Sequence, residues 1–149
     1  MGLSEPPFPA AQGFVAVVLA WFLSQVIKVF RGVWNRHRFN FRWLFDTGGM
    51  PSSHSATVSS LATVVGLYYG FKSIPFLIAF IFTLITLFDA AGVRRSVGRQ
   101  ASILNKMLDD LYEKGQVPET RLKELLGHTP IEVFAGAFLG CMVALLVCH

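Results

Sequence analysis

A short polar loop, from Gly48 to Ser55, carries residues suited to binding an anion. Its glycines let the backbone bring bare N–H groups close to a ligand, and Pro51 stiffens the approach. Ser52, Ser53 or Ser55 can cap the following helix, whose first N–H groups have no partner inside the helix. A helix that begins in this way and carries His54 in its first turn is typical of a phosphate site. The alternative is a glycine-rich helix cap with a surface histidine.

Further charged and imidazole side chains stand at the ends of four apolar segments. Two histidines beside cations and an acid allow phosphoryl transfer, in which one imidazole attacks phosphorus and the other protonates the departing alkoxide. A carboxylate would fix the tautomer of the nucleophile, and cations with backbone N–H groups would stabilise charge on the phosphate oxygens. This chemistry needs no metal ion or other cofactor, and the sequence shows no clustered ligands for zinc or magnesium. The candidate residues are Lys28, His54, Arg94, Arg95, His128 and Glu132.

The composition predicts that membrane-spanning helices position these residues. Of the 149 residues, 53% are apolar and 15% are charged, and the mean hydropathy is +0.52. A soluble domain of this size would have too little interior to bury so much apolar surface. We therefore expect an all-α integral membrane protein with one membrane-embedded domain over residues 1–149. Its apolar runs predict four transmembrane helices, over residues 13–33, 56–71, 74–91 and 131–147.

Two polar segments flank or interrupt these spans. Residues 1–12 are polar and proline-rich, which predicts a flexible N-terminus. Residues 97–127 predict a polar cytoplasmic connection between the third and fourth spans. Apolar residues from Ile103 to Leu111 recur there at helical spacing, which indicates an amphipathic helix. That helix lies either on the lipid headgroups or on the protein's own surface.

Two charged residues within the predicted spans each have two interpretations. Lys28 either extends its amine to the headgroups or points inward at an anion. Asp89 either has a functional role or forms an ion pair with a nearby arginine. The residue types alone do not choose between these interpretations.

The basic residues predict the orientation in the membrane. All 13 Lys and Arg residues except Lys72 lie towards the end of the first span, in the connection after it, or in the connection after the third. Because positively charged connections stay in the cytoplasm, we expect the site on the cytoplasmic face of the plasma or inner membrane, with both termini outside. The net charge of +4 then suits contact with the bilayer surface and with a phosphate ligand, and we do not expect nucleic acid as a partner.

Two short motifs resemble a known superfamily. The segment Pro51 to His54 resembles the Pro-Ser-Gly-His signature of the phosphatidic acid phosphatase type 2 and vanadium haloperoxidase superfamily, and the segment His128 to Glu132 resembles its later His-x-x-x-Asp segment. The longer strings Thr47-Gly48-Gly49-Met50-Pro51-Ser52-Ser53-His54-Ser55-Ala56-Thr57, Asp89-Ala90-Ala91-Gly92-Val93-Arg94 and Leu125-Leu126-Gly127-His128-Thr129-Pro130 look like the small divergent branch of that superfamily. The similarity extends from about Phe14 to Gly140.

The resemblance implies a role for each matching residue. His128 would be the nucleophile, Glu132 would replace the superfamily's aspartate, and His54 would be the general acid. Arg94 would stand in for an arginine that has no match at the usual spacing. The phosphate-binding residues that the resemblance implies are Lys28, Ser52 and Ser53. Their position at the end of the third span adds Arg94 and Arg95 as candidates, and the bare N–H groups of the loop add Gly49. The implied activity is hydrolysis of a membrane lipid phosphate or lipid pyrophosphate through a phosphohistidine, without a metal ion.

Several positions depart from the superfamily pattern. Asn35 stands where the first signature has arginine, Ser53 stands where the second has glycine, and Glu132 replaces aspartate. These departures motivate an alternative, a non-catalytic membrane protein that retains a pocket for phosphate or a lipid headgroup. A haloperoxidase is a third interpretation. The standard superfamily core also has more than four helices, so the resemblance leaves room for a homodimer that supplies the missing wall.

Overall fold

The computed structural model describes residues 8–36, 49–112 and 129–149, and it is helical, with no strand in these ranges. This confirms the all-α fold class. The described helices are α1 (Ala10–Arg36), α2 (Ser53–Tyr69), α3 (Ile74–Ala91), α4 (Val93–Tyr112) and α5 (Pro130–Val147).

Some expectations fall on residues outside the described ranges. They concern the first seven residues, the basic and aromatic connection over 37–48, and the segment 113–128. The predicted nucleophile His128 and the second half of the predicted polar connection, residues 113–127, belong to the last of these segments.

Three of the described helices are long and apolar enough to cross a membrane, where the sequence predicted four spans. They are Ala10–Trp34, Ile74–Ala91 and Pro130–Val147. The helix at the second predicted span, α2, has 17 residues and is rich in serine and threonine. Nine of its 17 residues are buried by the neighbouring helices, so much of its surface is covered by protein and does not need the hydropathy of a lipid-facing helix.

Local sequence explains where the helices begin and end. Ser52, Ser73 and Thr129 occupy the N-cap positions of α2, α3 and α5, and each side chain accepts a backbone N–H of the first turn. A proline lies in the first turn of α3 and of α5, where its missing N–H costs no helix hydrogen bond. Gly70 ends α2 with a φ of +87°, a conformation that favours glycine.

Contacts along α2 give the directions of α1 and α3 relative to it. Near one end, the amine of Lys28 on α1 reaches Ser53 on α2. Near the other end, Gly13 on α1 lies against Val64. The helices α1 and α2 are therefore antiparallel. The helix α3 is also antiparallel to α2, because Thr83 donates to the Val58 carbonyl at 2.9 Å while Phe76 lies against Gly66.

The last helix, α5, runs parallel to α2. Gly136 lies against Ser52, and four residues later Gly140 lies against Ala56. At the far end, the Gln12 side-chain amide of α1 donates to the Val147 carbonyl of α5. As a result, the end of α1, the start of α2, the end of α3 and the start of α5 share one end of the bundle.

The amphipathic helix α4 lies between α3 and α5 in the chain, as predicted. Its side chains Ile103, Leu104 and Met107 are 57%, 47% and 57% exposed, whereas Asn105 is buried. Within the described part of the chain, α4 contacts α3 alone. The exposed apolar side chains therefore do not pack on the described protein surface, which favours the headgroup alternative.

Candidate functional site

The loop before α2 has the conformation of a helix cap. Gly49 has a φ of +93°, and nothing lies within 4 Å of the position where a Cβ would be. Glycine is therefore favoured here by backbone conformation, and the space beside it is open. The Ser52 hydroxyl accepts the Ser55 N–H at 3.3 Å, and Ser52 and Ser53 are both buried. The first turn of α2 is thereby aligned with its N–H groups towards the loop.

The loop is held directly against the start of α5. The Ser52 N–H donates to the Glu132 carbonyl at 3.0 Å. A Cβ at Gly136 would overlap the Ser52 carbonyl oxygen, so the two backbones touch at this point. The segment that follows His128 in the chain is thus fixed beside the segment that carries His54.

Glu132 forms part of the cap of α5. The Thr129 N–H donates to Glu132 Oε2 at 2.9 Å, and the Glu132 N–H donates to the Thr129 hydroxyl at 3.4 Å. This reciprocal pair is a capping box, and the negative charge is stabilised at the positive end of the helix dipole. A carboxylate offers about four acceptor sites, so capping is compatible with a second hydrogen bond to an imidazole.

Lys28 points into the bundle. Its side chain is 7% exposed, and its Nζ donates to the Ser53 hydroxyl at 3.2 Å. This geometry favours the inward alternative over extension to the headgroups. An ammonium has three donors, and removing it from water is costly unless polar or charged groups surround it. A buried amine beside a helix N-terminus is therefore suited to hold an anion.

The remaining predicted site residues lie at the same end of the bundle or outside the described residues. His54 is exposed on the first turn of α2. Arg94 and Arg95 belong to the first turn of α4, directly after α3, and their side chains are not described. His128 lies outside the described residues. The described part thus brings Lys28 to the loop before α2, which we call the serine loop (residues 49–55), and leaves the imidazole pair and the arginines as predictions.

Several buried polar residues of α1 and α2 were not predicted as site residues. Ser24 and Gln25 are 0% and 6% exposed, and both share a helical face with Lys28. Gln25 Oε1 and the hydroxyl oxygens of Ser55 and Ser60 have no hydrogen-bond partner in the described structure. Buried polar atoms of this kind are commonly satisfied by internal water. The available sequence signal was polar residues interrupting an apolar run at helical spacing.

The polar groups that the described residues gather at the loop suit an anion. No three His, Cys, Asp or Glu side chains come together within residues 8–36, 49–112 and 129–149. The donors gathered at the loop are an amine, hydroxyl groups and backbone N–H groups. Such donors complement phosphate oxygens.

Comparison with known proteins agrees with this picture. A protein of Bacillus subtilis (strain 168), described as the uncharacterized membrane protein YuiD, is 40% identical over 153 residues, covering 95% of this chain and 94% of that protein. No solved structure matches the chain. The apolar helices and this relative indicate a membrane protein. A family model described as the divergent PAP2 family matches residues 10–143. The chain therefore belongs to the divergent PAP2 family.

Proposed function

We propose that this protein is a membrane phosphatase that hydrolyses a lipid phosphate or lipid pyrophosphate with a histidine nucleophile. One observation carries the proposal: the buried Lys28 amine is directed at Ser53, beside His54, where three helices of the bundle meet. A cation, hydroxyl groups and a helix N-terminus at one point are the parts that phosphoryl transfer requires. Membership of the divergent PAP2 family supports the same class of chemistry.

The proposed reaction has two steps. His128 attacks phosphorus, a P–N bond forms, and the bond from phosphorus to the lipid oxygen breaks while His54 donates a proton to that oxygen. Water then attacks the phosphohistidine, His54 accepts its proton, and the P–N bond breaks to release inorganic phosphate. Glu132 would accept the second N–H of His128 and hold its tautomer. Support comes from the chain itself, because His128 directly precedes the cap residue of α5.

The proposed charge stabilisation uses fixed groups around the loop. Lys28, the hydroxyl of Ser53 and the N–H groups at the start of α2 would bind the phosphate oxygens. Arg94 and Arg95 would add positive charge from the junction of α3 and α4. Lys28 and Ser53 are positioned by α1 and α2 and contact each other, so little reorganisation is needed there when charge develops.

We also propose that α2 is a fourth span and that the site faces the cytoplasm. Its 17 residues extend about 25 Å, close to the ~30 Å hydrocarbon core. Its contacts with α1, α3 and α5 cover a helix that is too polar for direct exposure to lipid. The basic residues before α2 and after α3 favour the cytoplasm for the site end of the bundle.

Cysteine labelling would test this topology. Single cysteines replace Ala10, Lys72 or Lys106, all exposed, in a background without the two native free cysteines, Cys141 and Cys148. A membrane-impermeant maleimide should label positions 10 and 72 in intact cells and position 106 only after permeabilisation. Labelling of positions 10 and 72 from opposite sides would show that α2 does not cross. A fully reversed pattern would retain the four spans and overturn the orientation.

A second test concerns Lys28. Vanadate should inhibit the enzyme as a phosphate analogue, and Lys28→Met should weaken that inhibition about 10- to 100-fold, the effect of one lost hydrogen bond to a charged group. Lys72→Met is the matched control, because it removes the same charge from the turn at the opposite end of the bundle. Equal inhibition constants for the two variants would remove Lys28 from the phosphate site.

The proposal as a whole is tested by a phosphate-release screen. Purified protein in detergent is given phosphatidic acid, phosphatidylglycerophosphate or polyprenyl pyrophosphate, and released phosphate is measured without added metal. The same samples are examined for labelled phosphate bound to histidine. Substrate binding without release or labelling would favour the non-catalytic alternative that the altered motif positions suggest.

A further inference from the structure

An apolar cavity of about 290 Å³ lies between α1 and α5, beside the serine loop. Its wall consists of Ile27 and Arg31 from α1, Met50 and Pro51 from the loop, and four residues of α5 between Ala135 and Met142. We call it the α1–α5 groove. Its volume is near the lower limit of common ligand pockets, roughly 300 Å³.

The groove opens on a surface that a bilayer would cover. Both helices that form it are long and apolar enough to cross a membrane. Ile27 and Phe138 line it and are 38% and 69% exposed. A lipid hydrocarbon chain is therefore the molecule that this surface meets in the membrane.

The groove also has a polar end and an apolar end. Arg31 lies one helical turn closer than Ile27 to the end of α1, the end at which the serine loop lies. From Ala135 beside the loop to Met142, the groove follows α5 for about 10 Å, roughly a third of the hydrocarbon core. A guanidinium near the end of the span, above an apolar channel, matches the polarity of a lipid phosphate.

We infer that the α1–α5 groove holds the first part of one hydrocarbon chain of the lipid substrate while Arg31 binds its phosphate. This inference rests on the proposed function, because the adjacent serine loop would receive the same phosphate for hydrolysis. The substrate then enters sideways from the bilayer and keeps the rest of its chain in lipid. Since the bilayer is as apolar as the groove, the groove supplies orientation and packing and adds no hydrophobic driving force.

Photocrosslinking in lipid nanodiscs tests the groove without relying on turnover. Two phosphatidic acid probes carry a diazirine, one near the headgroup and one at the chain terminus, and labelled peptides are identified by mass spectrometry. The first probe should label the α1 and α5 residues of the groove, and the second should not. Ala135→Trp fills the groove and should reduce this labelling about 5- to 30-fold. Ile85→Trp, on the exposed surface of α3, is the matched control.

A second variant covers the case in which Ala135→Trp does not fold. Arg31→Gln keeps the groove open and removes the charge. Wild-type protein should prefer the phosphatidic acid probe to a diacylglycerol probe with the same diazirine, and Arg31→Gln should lower that preference by a similar factor. An unchanged preference in this variant would overturn the role of Arg31.

The experiments test the lipid groove and the phosphatase activity separately. Labelling in the groove without phosphate release would support the groove and contradict the proposed enzyme activity. Phosphate release with labels spread evenly over the lipid-facing surfaces of α1, α3 and α5 overturns the groove and leaves the activity standing.

Discussion

Replacing His128 with alanine should reduce phosphate release to below about a thousandth of the wild-type rate. Without this imidazole no P–N bond can form, and no other step in the proposed sequence transfers the phosphoryl group. The rate is measured with purified protein in detergent on whichever lipid phosphate the wild type hydrolyses. His149→Ala is the matched control, because it removes an imidazole beyond the opposite end of α5.

His54→Ala should have a different signature. Loss of the general acid should slow release from an alkyl phosphate about 10²- to 10⁴-fold, because the lipid alkoxide departs poorly without a proton. An aryl phosphate has a leaving group that needs no protonation, so the first step should recover in His54→Ala and remain absent in His128→Ala.

Trapping of labelled phosphate separates the two roles further. With an aryl phosphate, His54→Ala should accumulate a phosphohistidine at position 128, since the water of the second step also loses its base. His128→Ala should accumulate none. Rates equal to wild type in both variants, or label on a residue other than His128, would refute the proposed mechanism.

The sequence predicted the helix boundaries well because the relevant signals are local. The bounds predicted for the third span, residues 74–91, agree with α3, since Ser73 caps it, Pro75 lies at its start and Gly92 ends it. The second span was harder, because hydropathy assumes a lipid-facing helix and α2 is covered by protein on three sides. Its cap, Ser52, was one of three candidate serines, and hydrogen bonding in the folded chain identifies it.

The geometry of the candidate site depends on long-range packing more than the helix boundaries do. Whether Lys28 points outward or inward is decided by the register of α1 against α2, which no local pattern specifies. The α1–α5 groove and the placement of Arg31 within it arise where three segments distant in the chain meet. The apolar run around Ile27 was visible from the sequence, but the partner surface on α5 was not.

Of all single Gly→Ala substitutions in the predicted spans, Gly140→Ala should destabilise the fold the most. Gly136 and Gly140 form a small-xxx-small pattern that lets α5 touch α2. A Cβ at position 140 would overlap the carbonyl oxygen of Ala56 and come within 2.9 Å of its carbonyl carbon and of the Ser60 nitrogen. All three atoms are backbone, so no rotamer change relieves the clash and the helices must separate.

The expected loss in the free energy of unfolding is about 1–3 kcal/mol or more for Gly140→Ala. Gly140→Leu should leave little folded protein. Separation of α5 from α2 would also strain the hydrogen bond from Ser52 to Glu132 and disturb the loop. Thermal unfolding of purified protein in detergent gives the ranking, and size-exclusion profiles report the folded yield.

Two variants act as controls for this prediction. Gly13→Ala adds the same methyl where the obstacle is a side chain, Val64 Cγ1 at 2.6 Å, so a small shift of α1 or of that side chain relieves part of the clash. Leu146→Ala alters a side chain of α5 that is 75% exposed and should have almost no effect. The expected order of stability is Leu146→Ala, then Gly13→Ala, then Gly140→Ala. A Gly140→Ala protein as stable as Gly13→Ala would mean that α2 and α5 do not meet backbone to backbone, and the connection between α5 and the serine loop would fail with it.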